Sequence, residues 1–566
     1  MVGMHGRAFA TAMSLLLATT AGAAVAQTAG PAPVARFSTF IYEGDDGGPT
    51  PGPGQYRNPI LTGFYPDPAN TRVGEDYYLV TSTFAYFPGL PVFHSRDLVN
   101  WTQIGNAIDR PDQLDFKQLG LSRGVFAPTI DHHDGLFYIL NTCVDCGGNF
   151  LITARDPAGP WSDPVWLPDL EGGIDPSLFF DAEGQGWIVN NGPPQGEPQY
   201  EGHRAIWSQR FDPVTQKTFG PRTVLVNGGV DFSTKPIWIE GPSVIHRNGW
   251  YYLVCAEGGT AEGHSQVVLR SRRPDGPYVA YEDNPILTQK GLPADRERPV
   301  TSAGHADLVQ TPTGDWWATF LAVRPYGPDQ YNTGRETFLM PVDWSGEWPR
   351  ITAPGQVLPE VVDRPDLAPG SAATPMSGPF RVAERFDGPA LPLSWMMMRN
   401  PRETWFDLSS TPGALTLQAR PVDLGDNANP SFLARRQQHQ NASAETVVEF
   451  SPTRDGDRAG LAALQSDDFW YFLAVARDDG RTRLELRRRA GPQEAADGVL
   501  IAESPLTAEG PVRLKAVARG AIYDFLYDAG DGWKTLAGDV DGTILSTRTA
   551  GGFVGAVFGP HARSAR

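Results

Sequence analysis

The sequence predicts an all-β protein: a five-bladed β-propeller followed by a C-terminal β-sandwich. Three observations carry that prediction. A β-rich aromatic run recurs five times before about residue 360. Each copy follows a Gly-containing polar turn. Past a Pro- and Gly-rich break, strands alternate apolar and polar residues without the repeat.

The chain has 566 residues, too many for one ordinary domain. Its N-terminus reads as a secretion signal. Arg7 supplies the positive start, an apolar run through Leu15, Leu16 and Leu17 follows, and Ala24-Val25-Ala26 has the small-x-small form of a cleavage site. Residues 1–26 are therefore expected to be removed, which puts the mature protein in a periplasm or outside the cell. No later stretch is long and apolar enough to span a membrane.

The five aromatic runs are Asp76-Tyr77-Tyr78-Leu79-Val80, Leu136-Phe137-Tyr138-Ile139-Leu140, Gly186-Trp187-Ile188-Val189, Trp250-Tyr251-Tyr252-Leu253-Val254 and Trp316-Trp317-Ala318-Thr319-Phe320. Aromatic and β-branched residues favour strands. Taken at Tyr77, Phe137, Trp187, Tyr251 and Trp317, the runs lie 60, 50, 64 and 66 residues apart. A four-stranded blade needs about 40–50 residues, so these spacings leave room for loops, and five blades closing into a ring over 52–360 is the natural reading. A β-helix would repeat on a much shorter period.

Before each turn lies a partner segment. These begin at Asp67-Pro68, Ala127-Pro128, Asp175-Pro176, Glu240-Gly241-Pro242 and Gly304-His305. Two strands around a turn make a hairpin. If the segments are the innermost strands, their first residues ring the axis at one end, and Asp67, Asp175, Glu240 and His305 converge there with Phe126 and Ala127.

Residues 361–379, with Pro365, Pro369, Gly370, Pro375, Gly378 and Pro379, are expected to be a linker. Over 380–561, the runs 445–450, 469–476, 483–486 and 512–517 alternate as strands do, which suits a two-sheet sandwich.

The net charge of −18 argues against a nucleic-acid partner. Three cysteines make no disulfide framework. Cys143 and Cys146 suit a local disulfide better than a zinc site, since no second pair exists. His132 and His133, beside Asp131 and Asp134, are expected to form a polar hairpin turn rather than a metal site.

Singly, Asp67, Asp175 and Glu240 read as turn formers. Together on one axis they need another reason, because buried charge is costly. Two carboxyls across a pocket are the equipment of glycosidic bond hydrolysis: one protonates the departing oxygen, and the other activates water or attacks the sugar. A third carboxylate raises the acid's pKa. Phe84, Tyr86, Phe87 and Phe126 could supply flat faces for sugar rings.

Tyr65-Pro66-Asp67-Pro68, Thr83-Phe84-Ala85-Tyr86-Phe87-Pro88-Gly89, His94-Ser95-Arg96-Asp97-Leu98-Val99-Asn100-Trp101, Gly173-Ile174-Asp175-Pro176-Ser177, Ile239-Glu240-Gly241-Pro242 and Gly334-Arg335-Glu336-Thr337-Phe338 together resemble glycoside hydrolase family 43, most closely its two-domain β-xylosidases. The C-terminal part resembles the concanavalin-like sandwich of those enzymes. The resemblance implies an inverting, exo-acting hydrolase with Asp67 as general base, Glu240 as general acid and Asp175 tuning the acid. It implies substrate contacts from Phe84, Phe126 and Arg335, with Phe126 standing where relatives often carry Trp. It implies no required cofactor. At His305, on the axis, it leaves room for a structural calcium ion or a water network. An inverting pair should stand about 6.5–9.5 Å apart.

The expected substrate is a xylo-oligosaccharide, cleaved from its non-reducing end. The near alternative is an α-L-arabinofuranosidase. Of other classes, a non-catalytic sugar-binding propeller has no need of an acid–base pair, and a protein–protein scaffold leaves the axial carboxylates unexplained.

Overall fold

The computed structural model describes residues 33–507 and 510–566; the expected signal segment, 1–26, lies outside the described residues. Five antiparallel sheets surround one axis. Their innermost strands are Ala69–Val73, Thr129–His133, Ile174–Phe180, Glu240–Arg247 and Thr301–Gln310. Each touches the next, and the fifth touches the first, so the ring is closed. The repeated aromatic runs are the second strands: Asp76–Val80, Leu136–Val144, Gly186–Gly192, Trp250–Glu257 and Trp316–Val323. They bury their apolar residues between blades, as Tyr77, Leu79, Ile139, Leu140, Ile188, Leu253 and Phe320 show. The hairpins turn where the sequence marks them. Asp134 and Gly135, like Asn248 and Gly249, both have positive φ, which is the two-residue turn that matches strand twist.

The fifth blade has three named strands, and residues before the first blade complete it. Ile60 N–H donates to Thr337 O (2.9 Å), Leu61 bridges Thr337, and Asn58 exchanges side-chain bonds with Leu339 at 2.8 and 2.9 Å. The two ends of the propeller are thereby pinned to each other.

The sandwich is made of two eight-stranded sheets, and it is larger than the expected 380–561. Its first sheet takes in the N-terminal strand Val34–Gly44, which pairs with Phe380–Glu384, Leu415–Gln418 and Asn441–Glu449. Its last strand, Val557–Arg563, runs past 561. Its second sheet ends on Tyr86–Phe87, a piece of the first blade, paired with Met396–Met398. One apolar core runs from Leu461, Leu473 and Phe558 of the sandwich into Tyr86, Leu90 and Val125 of the propeller, and 33–566 is a single compact unit.

The segment 361–379 is strapped down along its length. Val361–Asp363 pairs with Gln55–Arg57, Gly370 N–H donates to Asp97 (2.7 Å), and Met376 O accepts from Thr62 (2.9 Å). Among the described residues, no helix is long and apolar enough to cross a membrane.

Candidate active site

In four of the five blades the inner segment carries a left-handed residue at or near its axial end: Asp67 (φ +55°), Asp175 (+54°), Gly241 (+54°) and His305 (+52°). In the last three blades the ladder breaks at this point. Pairing skips between Ile174 and Ser177, between Glu240 and Ser243, and between Gly304 and Asp307. Such bulges re-aim side chains beside functional sites; here they turn them toward the axis.

This register corrects the expectation that the three carboxylates share one position of the repeat. Asp175 aligns with Gly241 and His305, whereas Glu240 aligns with Ile174 and Gly304, one residue earlier. The reason is steric. A Cβ at Gly241 would lie 2.8 Å from the His305 ring, on a backbone that disfavours L side chains. The fourth blade therefore has no room for a carboxylate there and presents it from the neighbouring residue.

Seven of the residues singled out from the sequence line one cavity of about 510 Å³ at this end of the axis: Asp67, Asp175, Glu240, Phe84, Phe126, Arg335 and His305; Tyr86 and Phe87, expected as further sugar faces, are instead buried in a strand paired with the sandwich. Asp67 is 4% exposed and already engaged as an acceptor. Ser82 Oγ donates to its Oδ2 (2.6 Å), and Arg335 donates to both oxygens (3.0 and 3.4 Å). Asp175 accepts the Gly241 N–H at 3.0 Å. Burial pushes Asp175 up to about 6; the charge of His305 lowers it and that of Asp67 raises it. Glu240 is raised well above the ordinary carboxyl range, first by burial and then by repulsion from Asp175 and Asp67. The site thus pairs a carboxyl group that accepts from Ser82 and Arg335 with one that favours keeping its proton, the division of labour acid–base chemistry needs.

The wall is aromatic. Phe84, itself at φ +56° and fixed by mutual backbone bonds with Val125, meets Phe126 edge-on at 5.4 Å. Both pack on Phe553, at 5.8 and 5.6 Å, and the Arg335 guanidinium lies 5.3 Å from the Phe553 ring. Phe553 belongs to the sandwich. Its loop is held by Phe553 N–H to Ser122 Oγ (2.8 Å), Ala556 N–H to Asn332 O (2.7 Å) and Gln465 Nε2 to Val554 O (3.1 Å). Gly334 makes the close approach possible, since a Cβ there would come within 2.9 Å of Gly555 N and 2.7 Å of Phe64. Sequence reasoning missed Phe553; its only local signal is a lone aromatic in the Gly-rich stretch 551–556.

His305 Nδ1 stands 4.0 Å from Asp67 Oδ1. Among the described residues, no three His, Cys, Asp or Glu side chains gather as a metal cage. Calcium takes six to eight oxygens. At His305 it would meet one imidazole and a carboxylate whose oxygens already serve Ser82 and Arg335, so these residues do not fit a protein-built calcium site. His133 stacks on Phe180 (3.6 Å) and His132 packs on Phe137 (4.7 Å) at the hairpin. Cys143 and Cys146 are joined as a disulfide, next to Val144, which lines the cavity.

Comparison with known proteins agrees with this geometry. Residues 56–349 match the model of Glycosyl hydrolases family 43, and 383–565 match the Beta xylosidase C-terminal Concanavalin A-like domain. A xylosidase/arabinosidase of Butyrivibrio fibrisolvens is 36% identical over 510 residues, covering 90% of this chain and 95% of that protein. A non-reducing end alpha-L-arabinofuranosidase of Bacteroides ovatus is 36% identical over 512 residues, covering 90% and 91%. Among solved structures, a GH43_12 protein retrieved from capybara gut metagenome superposes with a TM-score of 0.87 at 37% identity, over 94% of this chain and 100% of that one. A xylan beta-1,4-xylosidase from Bacillus halodurans gives a TM-score of 0.80 at 31% identity, over 90% and 96%.

Proposed function

Because the chain belongs to glycosyl hydrolase family 43 and is a glycosidase, we propose that it releases xylose from the non-reducing ends of β-1,4-xylo-oligosaccharides with inversion. Asp67 is the general base, Glu240 the general acid, and Asp175 raises and orients the acid. The observation that carries this reading is the pairing, in one cavity, of an Asp67 engaged by Ser82 and Arg335 with a Glu240 pushed well above its ordinary range.

In the reaction so read, the terminal sugar lies against Phe84, Phe126 and Phe553, with Arg335 donating to its hydroxyls as well as to Asp67. A water beside Asp67 loses a proton to it and attacks the anomeric carbon. The glycosidic bond breaks as Glu240 gives its proton to the departing oxygen. The loop 551–556 closes one side of the cavity, which suits removal of end sugars rather than cleavage within a chain.

An α-L-arabinofuranosidase is the second reading, favoured by the activity named for the Bacteroides ovatus relative. Export belongs to the same proposal. It rests on the signal-like N-terminus, and the Cys143–Cys146 disulfide suits an oxidising compartment. The net charge of −18 suits a neutral carbohydrate rather than a polyanionic nucleic acid.

The test is hydrolysis of 4-nitrophenyl β-D-xylopyranoside and 4-nitrophenyl α-L-arabinofuranoside by wild type and Glu240→Ala, with the first-formed anomer of xylose followed by NMR. Cleavage by wild type, a loss of orders of magnitude in the variant and release of α-xylose are expected. An active arabinoside and a silent xyloside select the second reading. No cleavage of these or of xylo- and arabino-oligosaccharides makes the propeller a sugar binder and ends the proposal.

A further inference from the structure

Two residues before Glu240, the chain does something costly. Trp238 adopts φ +50°, a left-handed conformation that is a true outlier for a bulky residue, and it leaves 36% of its surface in solvent. Ile237 beside it is 50% exposed. Neither is a frayed end. Trp238 N–H donates to Gly202 O (2.9 Å), and Ile237 O accepts from Gly258 and Gly259 (2.9 and 3.2 Å). Tyr200 Oη lies 3.0 Å from both Gly228 O and Pro236 O and shares its one proton between them, clamping the loop that leads in.

The indole is braced as well. The Arg204 guanidinium carbon lies over the ring, 4.8 Å from its centroid. Arg204 is itself fixed by Asn191 Oδ1 (3.0 and 2.6 Å) and Gly172 O (2.7 Å), and Asn191 Nδ2 donates to Ile239 O (2.6 Å), between Trp238 and Glu240. Strained backbone kept by many bonds marks a functional constraint. Here the constraint presents an aromatic side chain, with Ile237, into the catalytic cavity.

Its place in the cavity follows from the chemistry. The general acid must touch the departing oxygen, so the leaving group lies on the Glu240 side, while Asp67 and its water lie on the other side of the anomeric carbon. Trp238 stands two residues before Glu240, and its brace Arg204 feels the charges of Asp175 and Glu240, whereas the Phe84–Phe126–Phe553 cage is grouped with Arg335 and, through it, Asp67. We propose that Trp238, braced by Arg204, is the platform for the leaving-group sugar, stacking on the apolar face of a pyranose and so selecting oligosaccharides over glycosides with small leaving groups. This rests on the glycosidase roles proposed above for Asp67 and Glu240.

The test compares xylobiose with β-D-xylopyranosyl fluoride, whose one-atom leaving group has no face to stack, in wild type, Trp238→Gly and Trp238→Tyr. Gly accepts φ +50° without strain and so keeps the loop. Covering one pyranose face is worth about tenfold in affinity. Trp238→Gly should therefore raise KM for xylobiose about tenfold with kcat within about twofold. Its kcat/KM for the fluoride and its inhibition by free xylose should stay at wild-type values, and Trp238→Tyr should restore most of the loss on xylobiose. Equal losses on both substrates, or none on xylobiose, overturn the platform. A wild type inactive on both substrates instead overturns the xylosidase reading beneath it.

Discussion

The innermost strands that build the catalytic cavity continue into a second cavity, of about 450 Å³, at the other end of the axis, and the two ends differ instructively. Each holds carboxyls displaced upward by burial. Asp175 and His305 line both cavities, and the far end adds two partly buried carboxyls, Asp131, pushed up to about 7, and Asp307. Asp307 is spoken for: it accepts from Asn70 N–H (2.8 Å), Ser243 Oγ (3.0 Å) and Leu308 N–H (3.1 Å), tying three segments around the axis. His133, stacked on Phe180, lines that cavity too, and the Phe553 loop of the sandwich does not reach it. The catalytic end adds what the far end lacks: an arginine on one carboxylate, an aromatic cage and a cover from the second fold. A raised pKa is common to both ends, so it is an Asp67 held by Ser82 and Arg335, sharing one walled cavity with a raised Glu240, that distinguishes the candidate site.

The strongest way to break this comparison is to neutralise one carboxylate at each end. Asp67→Asn should lower kcat/KM on 4-nitrophenyl β-D-xylopyranoside by about 10³-fold or more, since the proposed base is gone. Asp131→Asn should stay within about threefold. It should also raise the unfolding temperature at pH 8, where wild type holds a buried charge that the amide lacks. Similar activity losses in both variants would mean that the two ends act as one site.

The sequence made the ring legible because every blade repeats one local device, a Gly turn followed by an aromatic strand, and each copy carries its own evidence. It made the carboxylates visible for the same reason, as acidic residues one or two positions before Pro in three of the five inner segments. It did not reveal that Glu240 stands one position out of step, because that depends on a bulge and on the space Gly241 leaves for His305, a contact between blades. Val34–Gly44 carries a strand pattern, with Ala35, Phe37, Phe40 and Tyr42 buried, but its partners lie more than 300 residues away and nothing local names them. The closure of the fifth blade by 58–61 and the docking of Phe553 are illegible on the same grounds.

Phe553 offers a smaller test, aimed at the cover. Phe553→Ala opens the cage around Phe84, Phe126 and Arg335 and should lower kcat/KM about ten- to hundredfold, through loss of sugar contact and entry of water. Phe180→Ala, which removes the ring under His133 at the far end, should leave KM unchanged. If Phe553→Ala behaves like Phe180→Ala, the sandwich braces the propeller without taking part in the site.

The finest contrast lies in pH. The basic limb of kcat/KM reports loss of the proton from Glu240, which repulsion from Asp175 helps retain. Asp175→Asn should move that limb toward acid by about one pH unit, besides lowering the rate. Stability should respond as well. Folding raises Asp175 from 3.8 to about 6, so the folded state holds this proton more tightly than the unfolded chain does. The stability it contributes is fully present below about pH 4 and is lost as pH rises through 6, an effect of about 3 kcal/mol. Asp175→Asn removes that loss, so its unfolding temperature should fall less between pH 4.5 and pH 8 than that of wild type. Asp307→Asn keeps one oxygen to accept from Ser243 and Leu308 but sets an amide NH2 against the Asn70 N–H, and should destabilise at both pH values. An unmoved basic limb in Asp175→Asn would assign the raised pKa of Glu240 to burial alone and leave Asp175 with an orienting role through Gly241.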